Sequence, residues 1–300
     1  MKTKSLVTGG LGFIGSHVVD LLVDCNHEVS VIDNGSTGAE DYTNSQAKYY
    51  DRDIRDYQQI KPLFEGIDYV FHLAALPRVE PSIRDPLTSD EINTKGSLNV
   101  FFAAKEANVK RAVFSSSSSI YGDVPAQKIS EDYPPNPMSP YAQQKLFGEQ
   151  YLELFSKLYG LNSTSLRYFN VYGERQPLEG SYVPVVGIWF RQVSNGERPT
   201  ITGEGTNKRD FINVKDVARA NLWASRSTKK GHDAFNIGSG ENHTLSDLCS
   251  LISSNPTYIK ARLEPKFTLA DWSKAKESFG WYPTIDIIDW IKENRPDTHE

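Results

Sequence analysis

A tyrosine and a lysine stand four residues apart in the segment Tyr141-Ala142-Gln143-Gln144-Lys145. Residues at positions i and i+4 share one face of a helix, so the two side chains would lie side by side. A neighbouring ammonium stabilises a phenolate and lowers the tyrosine pKa from its usual value of about 10. The pair can therefore act as a base near neutral pH, although this spacing is also common on solvated helices.

Three glycines recur near the N-terminus in the motif Gly9-x-x-Gly12-x-x-Gly15. The motif lies between a short apolar segment, residues 5–8, and an amphipathic one, residues 13–25. Glycines let the backbone turn tightly and approach a pyrophosphate closely, and the start of a helix offers unpaired N–H groups with a partial positive charge. This context predicts a dinucleotide phosphate site rather than an ordinary turn.

A carboxylate ends the second apolar segment of the chain. Asp33 follows residues 28–32 and comes 18 residues after Gly15. A carboxylate at such a strand end accepts hydrogen bonds from a ribose 2′-hydroxyl and repels a 2′-phosphate. The next residues, Asn34-Gly35-Ser36, contain no arginine that could hold such a phosphate. The sequence therefore predicts NAD rather than NADP.

The composition excludes several classes of protein. The chain has 300 residues, 38% apolar residues and a net charge of −5, which is typical of a globular protein with a large core and argues against a nucleic-acid binder. No apolar run approaches the roughly 18 residues of a membrane span, and no secretory signal is evident, so we expect a cytoplasmic protein. Cys25 and Cys249 are far apart and the histidines lack ligand spacing, so no disulfide framework and no metal site are expected.

The elements that must position these residues alternate between strands and helices. Strand-like segments occupy residues 5–8, 28–32, 48–50, 68–73, 111–115 and 163–168, and helical patterns occupy residues 13–25, 93–108 and 141–159. Such alternation indicates an α/β fold, a doubly wound parallel sheet of the Rossmann type. After about residue 170 the segments shorten. We therefore expect an NAD-binding domain of residues 1–170, to which some later segments return, and a smaller mixed α/β substrate-binding lobe of residues 171–300.

The glycine motif, the Tyr-x-x-x-Lys pair and the serine-rich segment 115–119 together resemble the extended short-chain dehydrogenase/reductase family, most closely its nucleotide-sugar epimerase branch. Similar stretches run from Val7 to Pro283 and include residues 71–75, 114–122, 139–142, 166–170, 208–212 and 270–271. The resemblance implies an NAD-dependent 4-epimerase of UDP-hexoses such as UDP-glucose and UDP-galactose. Such an enzyme oxidises the sugar transiently at C4 and returns the hydride to the other face.

The resemblance implies catalytic roles for three residues. Tyr141 would be the base, Lys145 would also bind the nicotinamide ribose, and Ser117, four residues before Tyr121, would bond the substrate oxygen. Cofactor contacts are implied at the adenine end (Asp53, Ile54), beside the pyrophosphate and around the nicotinamide. The full set of these cofactor residues is Gly9, Gly12, Phe13, Ile14, Gly15, Asp33, Asn34, Asp53, Ile54, Leu73, Ala74, Ala75, Ser115, Tyr141, Lys145 and Tyr168.

The same resemblance implies a set of substrate contacts. Arg209 and Asn170 match family residues on the diphosphate, and Phe211 would lie against the uracil or ribose. Thr268 stands where a small residue admits N-acetylated sugars, which adds UDP-N-acetylglucosamine as a hypothesis. Arg78 and Arg262 could equally be surface arginines. The full set is Arg78, Ser117, Tyr141, Asn170, Val183, Arg209, Phe211, Arg262 and Thr268.

Other activities stay open at this point. Dehydratases and decarboxylases of the family carry carboxylates just after the catalytic Ser/Thr, where this chain has Ser118 and Ser119. A hydroxyl cannot replace a carboxylate as an acid or base near neutral pH, so these activities are disfavoured. A keto-sugar reductase and a non-catalytic NAD-binding protein are the remaining alternatives. The resemblance also implies a homodimer formed through the helices near residues 87–108 and 141–159.

Overall fold

The computed structural model describes residues 2–77, 79–178, 183–261 and 265–296 of the chain. Its strands are β1 (Lys4–Thr8), β2 (Glu28–Asp33), β3 (Lys48–Asp51), β4 (Tyr69–His72), β5 (Arg111–Ser117), β6 (Ser163–Tyr168), β7 (Asn170–Tyr172), β8 (Thr200–Thr202), β9 (Lys208–Asn213), β10 (His232–Ile237), β11 (Asn242–Thr244) and β12 (Thr257–Ile259). Seven of them form one parallel sheet in the order β10-β6-β5-β4-β1-β2-β3. This sheet confirms the predicted α/β fold.

Helices surround the sheet. They are α1 (Phe13–Asp24), α2 (Tyr57–Ile60), α3 (Val79–Arg84), α4 (Pro86–Asp90), α5 (Ser97–Glu106), α6 (Pro140–Tyr159), α7 (Val185–Ser194), α8 (Val214–Ser225), α9 (Leu245–Ser250), α10 (Ser273–Phe279) and α11 (Ile287–Asn294). Short 3₁₀ turns occupy Glu40–Tyr42, Lys61–Phe64 and Ser118–Tyr121, and a π-helix occupies Glu91–Gly96. Within the described ranges, every helix is too short or too polar to cross a bilayer.

The two faces of the sheet are buried by different helices. Leu6 and Val7 of β1 are both fully buried but belong to separate apolar clusters, because successive side chains of a strand point to opposite faces. The Val7 cluster includes residues of α1 and α8, and the Leu6 cluster includes residues of α5 and α6. Helices on both faces explain why the strands carry continuous apolar runs rather than alternating ones.

The second half of the chain contributes to two regions. Its smaller lobe holds a three-stranded sheet, β11-β9-β7, and a two-stranded one, β12-β8, around buried Tyr172 and Trp189. However, β10 pairs with β6 in the large sheet and α8 packs in the Val7 cluster. The predicted domain boundary at residue 170 stays a prediction, and these later elements lie with the first-half core.

Two elements differ from their predicted extents by more than one residue at an end. The predicted helix of residues 93–108 is divided into the π-helix Glu91–Gly96 and α5, and Gly96 lies against Ile54, whose Cδ1 would be 2.7 Å from an added Cβ. Strand β5 continues to Ser117, two residues beyond the apolar run, because Ser115, Ser116 and Ser117 pair in register with β6. The serines are thus part of the sheet, which places Ser117 at its carboxyl edge.

Candidate active site

Backbone atoms pack closely against two glycines of the glycine loop. Gly9 has φ +77°, and its N–H donates to Ile32 O at 2.8 Å. A Cβ on Gly9 would lie 2.6 Å from Ala74 N, and one on Gly15 would lie 2.0 Å from Gly9 O. Only glycine fits at these two positions. Because Gly12 caps α1 with no side chain, the N–H groups of its first turn remain available to an anion.

Asp33 is fixed beside this loop. One carboxylate oxygen accepts from Leu11 N and the other from Gly35 N, both at 2.9 Å. The next residue, Asn34, donates to Asp53 at 3.1 Å. Hydrogen bonds from the Arg55 side chain hold the pKa of Asp53 below its usual value. The structure therefore brings together the residues predicted for the adenosine end, with Ile54 buried behind them.

A buried histidine connects the glycine-loop strand to the segment predicted to flank the pyrophosphate. His72 Nδ1 is 2.7 Å from Thr8 Oγ1, and its Nε2 is 2.8 Å from Ser97 Oγ. Thr8 Oγ1 also accepts from Ala74 N at 3.2 Å, so Leu73, Ala74 and Ala75 follow a fixed strand end. Burial lowers the pKa of His72 to about 3, helped by the charge of Lys145. His72 is therefore neutral and serves as a structural link.

Tyr141 and Lys145 occupy the first turns of α6. Ser139 caps this helix by accepting from Ala142 N at 3.2 Å, and Pro140 occupies its first position. Lys145 Nζ lies 5.8 Å from the Tyr141 ring centroid. The same ammonium donates to Ser115 O at 2.7 Å, and burial lowers the pKa of Lys145 to about 7. The helix period thus places Lys145 beside Tyr141, as predicted, and a hydrogen bond connects the lysine to β5.

Ser117 ends β5 and begins the 3₁₀ turn Ser118–Tyr121. Its Oγ accepts from Ser119 N at 3.2 Å, which orients the hydroxyl at the sheet edge. Two residues earlier, Ser115 Oγ lies 3.1 Å from the Tyr168 hydroxyl, which also bonds Asn221. Burial raises the pKa of Tyr168 to about 12, so this phenol stays protonated. The predicted cofactor contacts of Ser115 and Tyr168 stay predictions, because their hydroxyls already bond each other.

Three predicted substrate residues meet around β9. Asn170 Nδ2 donates to Asp210 O at 2.7 Å and to Thr268 Oγ1 at 3.3 Å. Thr268 Oγ1 also accepts from Asp210 N at 3.0 Å. Arg209 precedes Asp210 on the same strand, and only 6% of it is exposed. The structure therefore brings Asn170, Arg209 and Thr268 together although they are far apart in sequence.

Two other predicted substrate residues, Phe211 and Val183, have apolar side chains that do not join this hydrogen-bonded group around β9. Only 4% of Phe211 is exposed, because it packs in the core of the smaller lobe, and its contact with a base stays a prediction. Val183 is half-buried beside Gly187. Arg78 and Arg262 lie outside the described residues.

Sequence reasoning missed a buried ion pair behind the serines. Arg167 Nη2 lies 2.7 Å from Glu149 Oε2, and Arg167 also donates to the Tyr121 hydroxyl at 2.7 Å. Glu149 accepts a further bond from Ser116 Oγ. A signal was present, because Tyr141, Lys145 and Glu149 recur every four residues on one face of α6. Two ionisable side chains, Lys145 and Glu149, on a helix face that packs against the sheet predict buried polar partners.

Comparisons of the sequence and of the structure with known proteins find epimerases. The sequence model of the NAD dependent epimerase/dehydratase family matches residues 5–238. The chain is 35% identical over 304 residues to a putative UDP-glucose 4-epimerase of Methanocaldococcus jannaschii, covering 96% of this chain and 98% of that protein. It is similar to the crystal structure of Thermotoga maritima UDP-glucose 4-epimerase with UDP-glucose, with a TM-score of 0.93, 38% identity, and coverage of 97% and 96% of the two chains. A UDP-N-acetylglucosamine 4-epimerase of Methanobrevibacter ruminantium, in complex with UDP-N-acetylmuramic acid, gives a TM-score of 0.92, 37% identity, and coverage of 98% and 97%.

Proposed function

The chain belongs to the NAD dependent epimerase/dehydratase family, and from this premise we propose that it is a UDP-hexose 4-epimerase that uses NAD. The observation that carries the proposal is the pair formed by Tyr141 and buried Lys145, in a chain similar over nearly its whole length to UDP-glucose and UDP-N-acetylglucosamine 4-epimerases. The proposed substrates are UDP-glucose and UDP-galactose, with the N-acetylated pair as a further hypothesis. We also propose that the enzyme acts in the cytoplasm.

The glycine loop fits a dinucleotide. The close approach of Gly9 to Ala74 and of Gly15 to Gly9 fixes a tight turn at the start of α1, whose first-turn N–H groups have no capping side chain and would face a pyrophosphate. Asp33 would hold the adenosine ribose, and Lys145 would hold the nicotinamide ribose. When bound, NAD would supply the acceptor for the hydride of sugar C4 and, once reduced, the donor for its return to the opposite face.

The proton of the sugar 4-hydroxyl would pass to Tyr141. The buried ammonium of Lys145 stabilises a phenolate on this tyrosine more strongly than it would in water, because the local dielectric constant is low. An ammonium has three donors, so its bond to Ser115 O leaves donors for a ribose hydroxyl. Ser117 would bond the same sugar oxygen and hold it in line with the base.

The UDP moiety would bind against the smaller lobe. Its diphosphate carries about two negative charges, which require cationic and N–H donors. Arg209 Nη1 donates to Lys208 O and Asn170 Nδ2 donates to Asp210 O, so both residues place such donors beside β9. In the place where elimination or decarboxylation would need a carboxylate, the chain has Ser119, whose buried Oγ lacks a hydrogen-bond partner among the described residues. The site therefore favours epimerisation.

Proton NMR of the purified holoenzyme tests the activity. A panel of UDP-, dTDP- and GDP-hexoses should show interconversion of UDP-glucose and UDP-galactose with no net consumption of NAD or NADH. Tyr141→Phe should lower kcat on the order of 10²-fold or more while NAD is retained. Tyr159→Phe, an exposed tyrosine at the end of the same helix, is the matched control and should keep full activity. Wild-type-like turnover by Tyr141→Phe, or no turnover of any UDP-sugar, would refute the proposal.

We also propose that the enzyme is a homodimer formed through α5 and α6. Apolar side chains stay exposed on these helices, among them Phe147, Leu154 and Leu158 of α6, the last exposed by 61%. Their spacing of seven and four residues forms one stripe, and Phe102 of α5 is exposed as well. Sedimentation should give a dimer mass that Leu158→Glu converts to a monomer, whereas Tyr258→Glu, another exposed apolar position, should not. A monomeric wild type contradicts the proposal.

A further inference from the structure

Asp210 is a fully buried carboxylate beside the proposed diphosphate residues. It lies on β9 directly after Arg209. Its Oδ1 accepts from Ser239 N at 2.7 Å and from Ser239 Oγ at 2.8 Å. Its Oδ2 accepts from Gly240 N at 3.0 Å and from Ala270 N at 2.9 Å. Four donors from two separate segments therefore converge on one carboxylate.

The main chain of the same residue binds two proposed substrate contacts. Asp210 O accepts from Asn170, and Asp210 N donates to Thr268. The packing around the carboxylate is tight, because a Cβ on Gly238 would lie 2.9 Å from Asp210 Oδ2 and 2.6 Å from Ala270 Cβ. One residue thus joins the start of β7, the loop after β10 and the segment 268–270.

We propose that Asp210 is a positioning residue for the nucleotide diphosphate, which it affects by holding Arg209 and Asn170, together with the Thr268 hydroxyl that bonds Asn170, in their binding geometry. It would not touch the substrate. This inference rests on the proposed UDP-hexose epimerase function and adds a residue that the motifs do not assign.

The chemistry of the four donors explains why a carboxylate is needed. Three are backbone N–H groups and one is a hydroxyl, so both side-chain oxygens must accept. An asparagine offers one oxygen and turns an NH₂ group toward two donors, which leaves buried N–H groups unsatisfied. Burial raises the pKa of Asp210 to about 6, so the ionised form is retained at a cost in free energy. The four donors fix one orientation of this carboxylate and thereby the segments that it joins.

The chain supplies a matched control in Asp216. This aspartate on α8 is also fully buried and also accepts from four donors, namely Thr284 N and Oγ1 at 2.8 Å, Ile285 N at 3.1 Å, and Arg219. Its bonds fix the segment 284–285, which contains no proposed substrate contact. Asp216→Asn therefore reproduces the loss of a buried carboxylate without disturbing the diphosphate residues.

The experiment compares wild-type holoenzyme with Asp210→Asn and Asp216→Asn. Steady-state turnover of UDP-glucose, calorimetric binding of UDP, NAD content and Tm are measured for each. Asp210→Asn should raise the KM for UDP-glucose and the Kd for UDP at least tenfold, with kcat lowered less than threefold and NAD content unchanged. Asp216→Asn should lower Tm but leave KM within twofold of the wild type.

A milder variant covers the case in which Asp210→Asn does not fold. Ser239→Ala removes one donor hydroxyl and keeps the backbone bond, and it should raise KM two- to fivefold. Unchanged KM in Ser239→Ala or in a folded Asp210→Asn, or equal increases in Asp210→Asn and Asp216→Asn, would overturn the positioning role while leaving the epimerase intact. A wild type that binds no UDP and turns over no UDP-sugar would overturn both proposals.

Discussion

Replacing Lys145 with methionine should stabilise the protein while it destroys activity. The side chain is 5% exposed, and burial lowers its pKa from 10.5 to about 7. The folded pKa lies below the unfolded one, so the folded state disfavours the ammonium, and this cost is complete below about pH 7 and disappears above about pH 10.5. The cost is about 4 kcal/mol at pH 7 and about 2 kcal/mol at pH 9.

Methionine has a similar volume but cannot bond Ser115 O, and losing that bond costs about 1 kcal/mol. The net gain in the free energy of unfolding of Lys145→Met should therefore be about 3 kcal/mol at pH 7 and about 1 kcal/mol at pH 9. Catalysis should change in the opposite direction. Without the ammonium, Tyr141 loses the charge that would stabilise its phenolate, and an ordinary phenol with a pKa of about 10 is ionised in only about one molecule in a thousand at pH 7. We expect kcat to fall by about 10²- to 10³-fold and to rise with pH.

Urea unfolding followed by tryptophan fluorescence at pH 7 and pH 9 measures the stability difference. The protein should first be freed of NAD, because a bound cofactor adds its own binding free energy. Lys157→Met on the same helix is the control. Lys157 is exposed and paired with Glu153, so its loss should change stability by less than about 1 kcal/mol at either pH. The reasoning is wrong if Lys145→Met is destabilised at pH 7, or if its gain does not shrink at pH 9.

Three further substitutions test other parts of the site. Gly15→Ala should abolish NAD retention, measured as cofactor released on denaturation, because its Cβ would lie 2.0 Å from Gly9 O; a normal NAD content would exclude this steric account. Glu149→Gln should lower the free energy of unfolding by about 3–5 kcal/mol in urea titrations at pH 7, because it leaves buried Arg167 without its carboxylate. A loss below about 1 kcal/mol would mean that water reaches the guanidinium. Thr268→Tyr should remove turnover of UDP-N-acetylglucosamine in NMR assays and retain turnover of UDP-glucose, with a raised KM because the Oγ1 bonds to Asn170 and Asp210 are lost. Equal loss of both turnovers would contradict the role of Thr268 in sugar selection.

A net charge of −5 is compatible with anionic ligands because the proposed site uses local donors. The backbone N–H groups at the start of α1 carry a partial positive charge that the sum of side-chain charges does not include. Arg209 and Asn170 add donors at the other end of the site. The net negative charge of the chain therefore does not argue against two nucleotide ligands.

Local spacing was sufficient for the parts of the site that lie within one element or one turn. The glycine motif, Asp33 at the end of β2 and the Tyr141–Lys145 pair follow from strand and helix periods, which depend only on neighbouring residues. The alternation of strands and helices likewise predicted the parallel sheet with helices on both faces. The fold class and the geometry of the proposed dinucleotide cradle were therefore determined by the sequence itself.

The tertiary structure alone decided which distant residues meet. His72 bonds Thr8 and Ser97, Glu149 pairs with Arg167, and Asp210 collects donors from residues 239–270. The tertiary structure also places β10, from the second half of the chain, beside β6 in the large sheet. These contacts depend on strand order and on the approach of separate segments, which hydrophobic periodicity does not encode. A buried polar group must find its partners wherever the chain brings them, and only the folded arrangement shows which partners those are.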